Sequence, residues 1–314
     1  MTEVVYACNE GYIRQTILSV VSLLKYHPSV KINLIADHIS EEKMSFFLRK
    51  VSAYTEAINI IPLGRVFGKL DLPKQDRHPQ TIYAKLFLDE VLQCDKALYL
   101  DSDVIVSGSL DDLLKRDMTG ELAAGVVMPY PDSVKERLGL APNDCYICDG
   151  MVLLNLEQWR TRKISRQCRR YIANCRGTPC MQSEGVLNYV CRGKIGVLAP
   201  AYNLMPSMIF FTRDQIIRMQ HPAWYYSKKQ LLDAKHAPKM IHFMAELYNR
   251  PWLEPCDHPY AACYRELDRQ VFGNRHTYQR TNVSFRTRVN KWLYRALPFK
   301  YYILIYKVSR RRPA

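Results

Sequence analysis

The chain has 314 residues, 48% of them hydrophobic and 24% charged, a balance that fits one large or two smaller folded α/β domains and excludes a disordered chain. Its formal charge is +15, of which +9 lies between Thr281 and Ala314 without one acidic residue, leaving +6 for the rest. Ten cysteines are scattered along it, and the start Met1-Thr2-Glu3-Val4-Val5-Tyr6-Ala7 lacks a basic region followed by a long apolar run. The expectation is a cytosolic protein with reduced cysteines, not a secreted disulfide scaffold.

Residues 3–7 read as a first buried strand, and residues 12–26 as a helix with Ile13, Ile17, Val20, Val21 and Leu24 at helical spacing. Residues 31–37 give a second strand. Ser40 opens a helix with Glu41, Glu42 and Lys43 in its first turn, running towards Tyr54, and residues 58–61 give a third strand. This β/α alternation argues for a mostly parallel sheet. Residues 63–78 read as a polar loop. Within it, Gly64-Arg65-Val66-Phe67-Gly68-Lys69 is one residue short of a P-loop, and Leu70 stands where a magnesium-binding hydroxyl belongs. No Gly-x-Gly-x-x-Gly occurs either, so any phosphates must be held mainly by metal and cationic side chains.

Residues 80–92 read as a helix and residues 97–100 as a strand that feeds Asp101-Ser102-Asp103. Side chains alternate along a strand, so Asp101 and Asp103 point one way and Ser102 the other. Two carboxylates at the C-terminal edge of a strand can hold a hard divalent cation and so neutralise a diphosphate. On spacing alone, an Asp-x-Asp pair that caps the next segment or lies on a solvated loop is the plain alternative. Residues 121–128 and 151–156 look like further strands, and residues 158–175 and 181–190 like helices. After Pro200 the pattern weakens until a short strand at residues 240–243. Cys145-x-x-Cys148 has zinc or redox spacing, but no second such pair exists and Cys256, His258 and Cys263 match no zinc module, so the two are read as structural.

Tyr83-Ala84-Lys85, the Asp101-Ser102-Asp103 run, Cys148-Asp149-Gly150-Met151-Val152-Leu153-Leu154-Asn155-Leu156, Ile241-His242-Phe243 and Arg250-Pro251-Trp252 follow one another in an order that resembles glycosyltransferase family 8. These are the retaining nucleotide-sugar transferases that include glycogenin and bacterial lipooligosaccharide galactosyltransferases, and the resemblance runs from about Val4 to Trp252. It implies an α/β fold of the GT-A nucleotide-diphospho-sugar transferase type, with a mostly parallel central sheet flanked by helices and a helical C-terminal extension. The expected division is a transferase domain at 1–255 and a basic, aromatic extension at 256–314.

The resemblance also implies a site. Asp101, Asp103 and His242 match the family's manganese ligands, with magnesium the other candidate, and a mixed oxygen and imidazole set suits Mn²⁺ better than Ca²⁺. Ala7 matches a small residue at the nucleotide pocket, Asn9 stands where an aspartate often binds uracil, and Tyr12 matches a tyrosine that stacks on the base. Lys85 is expected at the donor sugar or its phosphates and Arg250 at the diphosphate; Ser102 and Gly150 complete the donor-binding set. The family usually has Asn-Ala-Gly or Asn-Ser-Gly at Cys148-Asp149-Gly150 and Asp-Gln-Asp at Ser183-Glu184-Gly185. The segment from His242 to Arg250 is about two residues longer than in the bacterial relatives and lacks their glycine. Glu184 replaces a glutamine near the anomeric centre, which makes it a candidate nucleophile or oxocarbenium stabiliser, with Asp149 the alternative acid. Both also read as unreactive, hydrogen-bonded carboxylates.

The implied function is metal-dependent, retaining transfer of glucose or galactose from a UDP-sugar to a glycan or lipid-linked glycan, such as a lipopolysaccharide or capsule precursor. Cations interleaved with Trp292, Tyr294, Phe299, Tyr301, Tyr302, Ile303, Leu304, Ile305 and Tyr306 suit adsorption to an anionic bilayer, and are favoured for that over nucleic acid. Pro298 and Lys300 interrupt the apolar run, so no span is expected. The expected place is therefore the inner face of the plasma membrane, as a peripheral protein. A helix packed on the core with a solvated basic face is the plain alternative for the tail. The competing functions are a noncatalytic nucleotide-sugar or glycan-binding member, and a membrane or polyanion adaptor acting through the tail.

Overall fold

Strand β1 (Thr2–Asn9) is apolar from Val4 to Cys8 and buried on both faces, which is what a central strand of a parallel sheet requires. The structure is a computed structural model that describes residues 2–310 apart from 69–79, 130–131, 246, 274–277 and 282–284. The next strands are β2 (Ile32–Asp37), β3 (Ile58–Pro62), β4 (Lys96–Leu100), β5 (Val104–Val106), β6 (Ala123–Val127), β7 (Ile147–Asn155), β8 (Ile195–Val197) and β9 (Met240–His242). Seven of them form one sheet in the order β3-β2-β1-β4-β7-β6-β8. All neighbours are parallel except β7, which runs antiparallel to both β4 and β6. The chain order reverses at β1 and β4, and a ligand crevice is expected beyond the C-terminal edges of two such strands.

Helices cover the sheet because their apolar stripes match it. The helix Ile13–Leu24 buries Ile13, Ile17, Val20, Val21 and Leu24, among others, with no charged residue after Arg14. A separate ribbon pairs β5 with β9 and places Val104 opposite His242. This pairing carries His242 from far along the chain to the end of β4. Further on, the helix Ala261–Phe272 is tied to the first helix by Arg14 and Asp268, 2.8 Å apart with Asp268 buried. The helices Phe285–Ala296 and Phe299–Arg310 follow, with Tyr294 and Tyr302 packed on Phe211.

Several expected elements take another form. Residues 80–92 are a 3-10 segment, Gln80–Glu90, interrupted at Phe87 (φ −133°); residues 83–89 are all buried, so packing rather than helical hydrogen bonding shapes it. The helix expected at 158–175 is two, Leu156–Arg162 and Ile164–Asn174, divided by the left-handed residue Lys163. Part of the loop expected at 63–78 is the short helix Leu63–Phe67; Lys69 and Leu70 lie outside the described residues. Strand β7 begins at Ile147 rather than 151, so Cys148-Asp149-Gly150 lies inside a sheet strand.

Candidate active site

Every residue singled out for the site lines one cavity of about 930 Å³ along the C-terminal edge of the sheet: Ala7, Asn9, Tyr12, Lys85, Asp101, Ser102, Asp103, Asp149, Gly150, Glu184, His242 and Arg250. The acidic pair corrects the geometry expected of it. Strand β4 ends at Leu100, and Asp101-Ser102-Asp103 forms the turn into β5. The two carboxylates still converge, but the turn brings them together, not strand alternation. Ser102 lines the cavity, and its hydroxyl is 2.8 Å from that of Thr16, which anchors the turn on the first helix.

Nε2 of His242 lies 3.1 Å from Oδ1 of Asp103, and its Nδ1 lies 3.1 Å from Oδ1 of buried Asn203. Ligand atoms of Asp101, Asp103 and His242 all fall within 4.8 Å of one another, a cluster that could hold a metal ion. Burial works against a charged His242, but the charge and hydrogen bond of Asp103, with Asp101, outweigh it and raise the ring's pKa. Burial likewise opposes ionisation of Asp103, yet His242 and Arg250 hold its carboxyl below the usual range. Burial raises Asp101 against the pull of Lys85, with Asp103 and Asp149 adding to the rise.

Gly150 explains itself by what a side chain there would strike. Its backbone carbonyl accepts from the N–H of Asp101 at 2.8 Å, and a Cβ would lie 2.4 Å from Cε1 of His242 and 2.7 Å from Oδ2 of Asp101. Any other residue would occupy the ligand cluster.

Two cations flank the cluster. Arg250 Nη1 donates to the Tyr12 hydroxyl at 2.7 Å, Nη2 lies 3.8 Å from Asp103, and its Nε is buried without a partner. Lys85, fully buried, has its ammonium 3.1 Å from Oδ2 of Asp149 and 3.6 Å from Oδ1 of Asp101, over the ring of Tyr99. At the Ala7 end of the cavity, Oδ1 of Asn9 accepts from the N–H of Gly11 at 3.1 Å and caps the turn that presents Tyr12.

Glu184 sits in the first turn of the helix Gln182–Val190. Its Oε1 accepts from Tyr146 at 2.8 Å and its Oε2 from the N–H of Asp149 at 3.4 Å. Burial, then the charge of Asp149, pushes its carboxyl up to about 8, while the Tyr146 bond pulls the other way. Gly185 is required by close packing, since a Cβ there would lie 2.0 Å from the carbonyl of Cys180. That segment closes one wall of the cavity through two successive left-handed residues, Met181 (φ 58°) and Gln182 (φ 53°). Asn203, Thr16 and Tyr146 are contacts that the sequence reading missed.

The family model described as glycosyl transferase family 8 matches residues 3–256. A lipopolysaccharide 1,2-glucosyltransferase of Escherichia coli is 23% identical over 272 residues, covering 83% of this chain and 76% of that protein. The glycosyltransferase GlyB of Streptococcus pneumoniae is 23% identical over 79% of this chain, which spans only 57% of GlyB. A crystal structure of the galactosyltransferase LgtC, in complex with donor and acceptor sugar analogues, superposes with a TM-score of 0.70 at 22% identity, covering 92% of this chain and 99% of that one. The fold is of the GT-A type, and the chain belongs to glycosyl transferase family 8, a family of glycosyltransferases.

Proposed function

We propose that the chain is a metal-dependent, retaining hexosyltransferase that moves glucose or galactose from a UDP-sugar to a glycan or lipid-linked glycan, such as a lipopolysaccharide or capsule precursor. The observation that carries this reading is the convergence of Asp101, Asp103 and His242 between Arg250 and Lys85 in one cavity. Two carboxylates and an imidazole suit manganese, with magnesium the other candidate, and the missing side chain of Gly150 lets His242 and Asp101 pack together there. A divalent ion held there supplies Lewis-acid stabilisation of the leaving diphosphate.

The chain's own residues do the rest. Arg250 receives the diphosphate and, through Tyr12, links that end to the nucleotide base near Ala7 and Asn9. Lys85 offsets negative charge on the sugar side. Glu184 is assigned to the anomeric centre, where its ionised form offsets the charge of an oxocarbenium or attacks the anomeric carbon.

The relatives named as lipopolysaccharide glucosyltransferases support a glycan acceptor. Residues 1–255 would carry transfer, and residues 256–314 would hold the enzyme as a peripheral protein on the anionic inner face of the plasma membrane. Supporting this, Trp292, Tyr301, Leu304 and Ile305 are exposed beside exposed Arg288, Arg295 and Lys300. The side chains of Lys307 and Arg310 and the whole of Arg311 and Arg312 lie outside the described residues. Among the described residues, no helix is long and apolar enough to cross a membrane.

Calorimetric titration of UDP with and without Mn²⁺, on wild type and Asp103→Asn, tests the reading. Binding that needs both the metal and Asp103 is expected. A folded wild type that binds no UDP would overturn it.

A further inference from the structure

Asp149 and Ser183 reach one point in the cavity from opposite elements. Asp149 stands on β7 and Ser183 in the first turn of the helix Gln182–Val190, yet the Ser183 hydroxyl donates to Oδ2 of Asp149 at 2.7 Å. A carboxylate placed on position 183 would therefore fall where the Asp149 carboxylate already is. The acid expected on the helix is absent from it, and the strand supplies it.

The surroundings define what this carboxylate can do. Lys85 lies 3.1 Å from the same Oδ2 and donates to the Asp149 carbonyl at 2.9 Å, so the ammonium grips the residue by side chain and backbone together. An oxygen engaged by a buried ammonium and a hydroxyl is a poor nucleophile. Asp149 is also outside the cluster Asp101, Asp103 and His242. Its side chain nonetheless lines the cavity and stays 12% exposed there. A carboxylate offers about four lone-pair sites, and two are engaged by Ser183 and Lys85, which leaves the others for donors in the cavity. Carboxylate, ammonium and hydroxyl side by side are the groups that bind vicinal hydroxyls.

Building on the transferase reading, we propose that Asp149, held by Lys85 and Ser183, binds the hydroxyls of the transferred hexose and sets which hexose is accepted, and that it is not the group that attacks. Because two elements address one point, the carboxylate can be moved. Asp149→Ala combined with Ser183→Asp returns it from the helix side.

The test measures kcat and KM for UDP-glucose and UDP-galactose, read as UDP release, beside Mn²⁺-dependent UDP binding by calorimetry, for the full chain. Asp149→Ala and the milder Asp149→Asn are expected to lower kcat/KM by roughly a hundredfold and to change the ratio between the two sugars, because a site built for a hydroxyl is left mismatched. UDP affinity is expected to stay within about threefold, and the double variant to regain at least about tenfold over Asp149→Ala. A loss confined to kcat, equal for both sugars, would overturn the assignment in favour of a chemical role. A double variant no better than Asp149→Ala, or a UDP affinity that falls in step with turnover, would also overturn it. Wild type that binds no UDP defeats the transferase reading itself, and this assignment with it.

Discussion

Asn203 holds the far side of the His242 ring: its Oδ1 lies 3.1 Å from Nδ1, while Nε2 of the same ring faces Asp103. A proton on Nδ1 donated to Asn203 would leave the Nε2 lone pair facing Asp103, the usual way an outer contact sets the tautomer of a metal-binding histidine. Asn203→Ala is expected to leave the fold intact and weaken Mn²⁺ binding by about tenfold or more. Titration of Mn²⁺ into the UDP-saturated protein checks this; unchanged affinity would reduce Asn203 to a packing residue.

Gly150→Ala should be far more damaging than a single methyl suggests. The new Cβ would meet His242 at 2.4 Å and Asp101 at 2.7 Å, and these atoms cannot yield without leaving the cluster. Overpacking of this kind costs about 1–3 kcal/mol of stability. Chemical denaturation measures that loss, and calorimetry in parallel is expected to show metal-dependent UDP binding reduced at least about tenfold.

Glu184 ties stability to pH with a definite sign. Unfolded, its carboxyl ionises near 4.5; folded, burial and then Asp149 hold the proton until about 8. Between those values the native state binds the extra proton, so stability falls as pH rises. Glu184→Gln removes the effect while leaving a partner for Tyr146. Relative to wild type, the variant is expected to gain on the order of 1–3 kcal/mol between pH 5 and pH 8. Urea denaturation at both pH values reads this difference, and a constant gap between the two proteins would refute it. In turnover, the same variant is expected to lose about a hundredfold or more if Glu184 attacks or stabilises the anomeric centre.

What was legible in the sequence depended on how local each signal was. The apolar run before Asp101 marked a strand and placed the carboxylates at its end, although a turn, not alternation, is what brings them together. His242 lies 139 residues from Asp103 and is joined to it by the β5–β9 ribbon, which three residues a side cannot announce by periodicity. The order of motifs carried that residue, as it did Arg250. Cys148-Asp149-Gly150 interrupts the apolar pattern of strand β7, so the sequence shows only the strand's second half and not the pairing of Asp149 with Ser183. Beyond Pro200, the helices Pro206–Phe210, Arg213–Gln220 and Lys228–His236 are too short to show a clear 3.6-residue repeat.

The last helices give a prediction independent of the pocket. Trp292 is 66% exposed and Leu304 62%. Replacing both with serine is expected to lower partitioning onto phosphatidylglycerol vesicles by roughly tenfold, with UDP binding unchanged. Sedimentation with vesicles reads this directly, and equal partitioning would leave the exposed side chains without that role.

The two ends of the cavity are built by different parts of the chain. Asn9 and Tyr12 belong to β1 and the turn after it, whereas Asp149, Ser183 and Glu184 come from β7 and the helix behind it. The turn Asp101–Asp103 touches both halves, through the Ser102 hydroxyl on Thr16 and the Asp101 N–H on the Gly150 carbonyl. On the proposed donor orientation, a hybrid enzyme that keeps the register of β4 against β7 would exchange its sugar-reading half while its base-reading half stays as it was, which would make the seam between those strands the natural place to diversify donors.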